Sequence, residues 1–149
     1  MMSRFLLSIV LAALTACAGS PRQEPVEDAQ PTLYQQLGGA AAIAGLVDAL
    51  VVEYKADPRI AKRFELPAAD LAYLRERLIE QFCAATGGGC EYTGLAMAEA
   101  HSGMNITGAE FDAFIEATVR AMTRIGVTDE HQLILLSVLD GMRGDVIDL

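Results

Sequence analysis

The chain predicts an all-α domain, and three observations carry that prediction. Apolar residues recur at three- and four-residue steps in separate stretches, the spacing that lines one face of a helix. Hydroxyl and acidic residues that can accept from the free N–H groups of a first helical turn stand at the head of these stretches. Glycine clusters and an Asp-Pro pair stand behind them, where a helix must stop.

Taken in order, Thr32 caps a short first turn, and Gly38-Gly39 ends it with backbone freedom that other residues lack. Ala40 to Lys55 carries Ile43, Leu46, Val47, Leu50, Val51 and Tyr54 on one face, and Asp57-Pro58 stops it, because the residue before proline is pushed out of the helical region. A short segment runs to Phe64. Pro67 separates it from a helix capped by Asp70, with Leu71, Leu74, Leu78, Phe82 and Ala85 on one stripe and Gly87-Gly88-Gly89 behind. After a loop around Tyr92 comes a brief helix carrying His101, then Gly103. Thr107-Gly-Ala-Glu110 is a capping box opening a long helix through Phe111, Phe114, Ile115, Thr118, Met122 and Ile125, which Gly126 ends. Thr128-Asp-Glu starts the last helix, striped with Leu135, Val138, Leu139, Met142 and Val146. Four substantial helices and several short ones follow.

The N-terminal segment reads differently. Met1 to Arg4 is a short positive start, Phe5 to Leu14 an apolar stretch, and Leu14-Thr-Ala-Cys17 a small-residue junction, the anatomy of an export signal. The apolar stretch is too short for a stable membrane span. The junction resembles the bacterial lipoprotein box, which implies a signal peptide over 1–16 and lipidation of Cys17, with Ala18 resembling outer-membrane cargo at the periplasmic face; plain cleavage is the alternative. Residues 17–31 read as a disordered tether, since Ala18 to Pro31 holds three prolines and four charged side chains with little to bury. The span 32–149, 118 residues, suffices for one core. Losing 1–16 removes Arg4 and no acid, so the formal charge of −9 becomes −10. That acidity argues against nucleic acid and against docking on anionic lipid.

His101 is one of two histidines in a chain without tryptophan. Alanines at 96, 98 and 100 precede it and Met97 lies one helical turn back, so its imidazole projects from a small-residue surface into apolar company. That setting suits an axial ligand of a flat hydrophobic cofactor, but on local spacing alone a buried histidine held by a backbone carbonyl is the favoured reading. His131, in the first turn of the last helix, carries no such pattern.

Leu33-Tyr-Gln-Gln-Leu-Gly-Gly39, Ala42-Ile43, Ala56-Asp-Pro-Arg-Ile60, Phe64, Gly87-Gly88, Tyr92-Thr-Gly94, Met97, Ala100-His101, Ile106-Thr107, Phe111 and Gly126-Val127 follow one another at a spacing that resembles the group I truncated haemoglobins. The resemblance covers nearly all of 32–149. It implies a two-over-two helical sandwich around haem b, with His101 as the proximal iron ligand, Phe64 on the opposite ring face, and further cofactor contacts from Tyr92, Met97, Ile106 and Phe111. It departs from the family's pattern at the distal side. The second helix usually supplies a tyrosine that donates to the gas ligand, preceded by an aromatic residue; those places hold Val51 and Leu50. A frequent assisting glutamine aligns with Leu78. The resemblance therefore implies an apolar distal pocket of Val51, Leu74, Leu78 and Phe82. Tyr54 is read as a core or rim tyrosine, with a substitute donor as the alternative. Arg75 and Arg77 either reach the haem propionates, Arg77 the better placed, or form a solvated face.

Cys83 and Cys90 bracket the glycine turn, and with Cys17 lipidated they are the only thiols left to pair in an oxidising compartment. A disulfide there stabilises by roughly 2 to 3 kcal/mol in the chain-entropy model; half a zinc site is the alternative, with no further ligands to complete it. The expected function is reversible binding of oxygen, carbon monoxide or nitric oxide at a five-coordinate ferrous haem. No catalytic residue is assigned. Nitric oxide oxidation would need a reductase partner, and a peroxidase-like side activity stands beside it. The runner-up is a haem-free helical adaptor in the cell envelope.

Overall fold

The expected Thr107–Glu110 capping box forms in the computed structural model, which describes residues 30–149, and the Thr32 cap proves to be a second box; the expected signal peptide, lipidation at Cys17 and tether up to residue 29 fall outside the described residues. The Thr32 hydroxyl accepts from the Gln35 N–H while the Gln35 side chain accepts from the Thr32 N–H, and this starts α1, Leu33–Leu37. Thr107 and Glu110 do the same for α5, Gly108–Arg124. Between them lie α2, Gly39–Ala56; α3, Ala68–Ala85; and α4, Met97–His101. α6, Asp129–Gly141, follows a Thr128 cap, and 3-10 turns form at Ala61–Phe64 and Arg143–Asp145.

Four sequence expectations shift. Met142 and Val146 lie beyond α6, which ends at Gly141. Asp70 is not a cap: the Leu71 N–H already bonds the Pro67 carbonyl at 2.9 Å, so α3 begins at Ala68 and Asp70 sits in its first turn. Ile125 lies past the end of α5 and is exposed rather than part of the buried stripe. Ala85, on the last turn of α3, is exposed too.

The core is the seam between α2 and α5. Large residues of α2, Ile43, Val47, Leu50 and Tyr54, pack on small ones of α5, Ala113, Ala117 and Ala121, and all are buried. Small residues on one helix let the other approach and fill the space with its branched side chains. At the C-terminal end of α2 the seam is clasped by charge. Buried Glu53 pairs with Arg120 and Arg124, and buried Asp57 accepts from Arg59 at 2.7 Å and Arg120 at 2.8 Å. These guanidiniums hold the Asp57 carboxyl well below the usual carboxylate range, the Arg59 hydrogen bond contributing most.

Cys83 and Cys90 form a disulfide with Cα atoms 5.7 Å apart. It closes the turn after α3. There the Thr86 hydroxyl donates to the Phe82 carbonyl, and the Tyr34 N–H donates to the Thr86 carbonyl at 2.8 Å. A β-carbon on Gly88 would collide with the Cys83 sulfur and the Tyr34 ring, so only glycine lets α1 dock this closely on the closed turn. Both thiols being spent, and no cluster of three or more metal-ligating side chains existing among the described residues, the zinc alternative falls. No described helix is long and apolar enough to cross a membrane.

Candidate functional site

α3 and the Tyr92–Ile106 stretch face each other across a cavity of about 490 Å³, floored by α5 and by the end of the chain. α3 contributes Leu74, Leu78 and Phe82 at four-residue steps, the stripe expected from the sequence. From the opposite side come Tyr92, Met97, His101 and Ile106, while Phe64 and Phe111 complete the predicted set. The position of Ile106 is fixed from outside the cavity. It bridges to Ile147, its carbonyl accepting from the Asp148 N–H at 3.0 Å, so the C-terminal residues hold the loop that follows His101.

His101 is half-buried in this wall, and its Nδ1 lies 2.8 Å from the Met97 carbonyl oxygen. A carbonyl only accepts, so Nδ1 carries the hydrogen and Nε2 keeps a free lone pair. The backbone-carbonyl bond that a structural histidine would make is therefore present, and it is also the bond that prepares the other nitrogen as a ligand. His131 is elsewhere, its Nε2 2.9 Å from Gln36 Oε1 and away from the cavity.

Val51 does not line the cavity, which corrects the expectation that it forms part of the distal wall. Tyr54, one turn further along α2, supplies that surface instead. Its ring stacks against Phe64 and Phe114 with centroids 4.8 Å from each, a place a valine is too short to fill. The Tyr54 hydroxyl is fully buried, 2.8 Å from Thr118 Oγ1, and burial pushes its pKa up, so it stays protonated. Tyr54 is thus a core tyrosine that also lines the cavity.

The two arginines of α3 part company. Arg75 pairs with Asp48 on the outer surface, away from the cavity. Arg77 lines the cavity edge, held by Glu80 at 2.9 Å, by the Thr93 hydroxyl and by the Tyr73 ring 5.2 Å below its guanidinium. Glu80 in turn accepts from the Thr93 N–H at 2.9 Å, the main reason its pKa is lowered. Arg77 Nε is buried with no hydrogen-bond partner. A buried, unpaired guanidinium N–H at the rim of an apolar cavity is a donor suited to an anion at the edge of a flat apolar group. Together with the Nε2 lone pair of His101, it makes the residues present fit a haem.

Sequence reading missed Arg63, Gln81, Leu95 and Met104, all of which line the cavity. Arg63 joins the Phe64 turn to the far wall, pairing with Glu110 at 2.9 Å and donating to the Met104 carbonyl at 2.9 Å. Its position beside Phe64, and that of Gln81 beside Phe82, were the available signals.

The bacterial-like globin family matches residues 32–148. A group 1 truncated hemoglobin from Tetrahymena thermophila is 33% identical over 101 residues, 68% of this chain and 82% of that protein. A group 1 truncated hemoglobin from Nostoc sp. is 30% identical over 117 residues, 78% of this chain and 98% of that protein. The crystal structure of the truncated hemoglobin from Tetrahymena pyriformis in its Fe(III) form superposes with a TM-score of 0.74 at 29% identity, over 80% of this chain and all of that one. The 2/2 hemoglobin from Synechococcus sp. PCC 7002, solved with covalently attached heme, gives a TM-score of 0.72 at 26% identity, over 80% of this chain and all of that one. The helices and their order are thus those of the two-over-two sandwich, and the chain belongs to the bacterial-like globin family.

Proposed function

We propose that this globin binds oxygen or another diatomic gas, carbon monoxide or nitric oxide, through a haem b held by His101 in the cavity between α3 and α4. The observation that carries the reading is His101 itself: Nδ1 is committed to the Met97 carbonyl, and Nε2 is free on the wall of an apolar cavity. When bound, the haem would supply the iron that takes up the gas. Phe64, Leu74, Leu78 and Phe82 would exclude water from the ring, and Arg77 Nε would meet a propionate. On the α2 side the Tyr54 hydroxyl is engaged within the core, so the pocket favours simple binding over finely tuned oxygen chemistry. Oxidation of nitric oxide would call on a reductase from outside this chain. The haem-free adaptor reading finds no comparable support.

Protein purified after haem supplementation should show a Soret band and a five-coordinate ferrous spectrum. A protein that remains colourless overturns the reading.

The segment ending at Cys17 supports a lipoprotein, with 1–16 removed, 17–31 as tether and 32–149 as the globin domain at the periplasmic face of a membrane, the outer one by the Ala18 rule. The mature protein should partition into detergent and Cys17→Ser should not. A Cys17→Ser variant that is processed and still partitions into detergent removes the anchor from the proposal.

A further inference from the structure

The Tyr54 hydroxyl lies at the junction of core and cavity, and the direction of its hydrogen bond decides what the cavity is offered. Thr118, on α5, has a hydroxyl 2.8 Å from the Phe114 carbonyl as well as 2.8 Å from the Tyr54 oxygen. The carbonyl can only accept, so the single Thr118 hydrogen goes to it. Tyr54 must then be the donor in the Tyr54–Thr118 bond. Its hydrogen is directed at α5, although its ring lines the cavity and stacks between Phe64 and Phe114. Both side chains are fully buried, so water does not compete for this hydrogen bond.

We infer that Thr118, which does not touch the cavity, is the positioning residue that sets the polarity of the gas site, by holding the Tyr54 hydroxyl as an internal donor and denying it to the ligand. The inference rests on the haem reading above and adds to it a residue that governs selectivity. Val51 and Leu50 supply no donor from α2, so Tyr54 is the one α2 side chain on the cavity that carries an O–H. Bound oxygen draws negative charge onto its outer atom and gains from a donor, whereas carbon monoxide is less polar and gains less. Keeping the hydroxyl engaged therefore favours fast oxygen release and discrimination towards carbon monoxide.

Thr118→Val removes the acceptor at nearly constant volume and leaves the buried Tyr54 O–H without a partner, a state it relieves by turning towards a polar ligand. In the haem-loaded variant the carbon–oxygen stretch of bound carbon monoxide should move to lower frequency, and oxygen release should slow by roughly 5- to 100-fold. Thr118→Ser keeps the acceptor and should match the native protein in both. Adding Tyr54→Phe to Thr118→Val should restore the native stretch. In the apoprotein, urea unfolding of the two single variants and the double should show coupling between positions 54 and 118. A folded Thr118→Val protein with unmoved stretch and release rate overturns the inference, as does a shift that survives Tyr54→Phe or strict additivity in urea. Should the added methyl of Thr118→Val crowd α2 and prevent folding, Thr118→Ala carries the same comparison. A native protein without a Soret band defeats the haem reading and this inference with it, whereas a normal Soret band with an unmoved stretch defeats the inference alone.

Discussion

Between α2 and α5, Val47, Leu50 and Tyr54 meet Ala113, Ala117 and Ala121 with 0% of each surface exposed; across the cavity, Leu74 and Leu78 of α3 remain half-buried and face a wall of which α4 buries no residue. Both regions turn the large residues of one helix towards a second element, but only in the seam is that element lined with alanines; of the alanines at and beside α4, Ala100 alone lines the cavity, next to Met97 and His101. In the seam the alanines admit close approach. In the α3–α4 region Ala96 and Ala98 are exposed and off the cavity, and the five-residue α4 lies in a stretch tied by the disulfide-closed turn before it and by Arg63 and the Ile106–Ile147 bridge after it. Two elements close on each other where small side chains meet large ones; where the facing element is short and tied from outside, the large side chains border a cavity instead.

Three variants separate the two regions. The largest effect is expected at His101: His101→Ala should lose stoichiometric haem retention while the apoprotein keeps its helical circular dichroism, since no part of the α2–α5 seam depends on it. Full haem content with an unchanged ferrous spectrum would reject the ligand assignment. Next, Leu50→Ala should cost about 2 to 5 kcal/mol in urea unfolding of the apoprotein. Leu78→Ala, half-exposed, should cost well under half as much, and the gap between the two should narrow once haem is bound. Equal costs in the apoprotein would show that the cavity wall is packed as tightly as the seam. The smallest effect concerns the clasp. Asp57 has its folded pKa depressed below the ordinary carboxylate value near 4, so its contribution is fully present above that value and is lost as pH falls towards the folded pKa. Arg59→Met should raise that folded pKa, bring acid unfolding to a higher pH, and lower stability at pH 7 by the matching amount, a modest one because Arg59 is half-exposed. An unmoved acid transition would mean that Arg120 alone holds the carboxylate.

Three helix starts were legible because they are announced locally, by the Thr107–Glu110 box and by the Thr32 and Thr128 caps, whereas α2, α3 and α4 carry no side-chain cap. Asp70 misled because an acid ahead of an apolar stripe reads as a cap, and the turn closed by the Pro67 carbonyl leaves no side-chain mark. At the site, the α3 stripe was readable from spacing, whereas spacing alone left His101 open to a structural role and only the family resemblance pointed to the wall where it lies. Val51 was placed by register in a family pattern, yet the wall is formed by whichever side chain is long enough to reach it, and Tyr54 is. Arg63, Gln81, Leu95 and Met104 converge from different parts of the chain, and periodicity within one element carries no information about such meetings. Leu139, Met142 and Val146 were recognised as an apolar stripe, but not as cavity wall, for the same reason.

The docking of α1 on the disulfide-closed turn has a mechanical consequence. Tension applied to the chain ahead of Thr32 enters the domain through α1, whose Tyr34 N–H is tied to the Thr86 carbonyl and whose ring rests on Gly88. The load is passed to a loop that the Cys83–Cys90 bond prevents from extending, and that loop adjoins the C-terminal end of α3. A pull from the N-terminus thus meets a covalent stop between itself and the walls of the gas site, so α1 can peel away without unravelling α3.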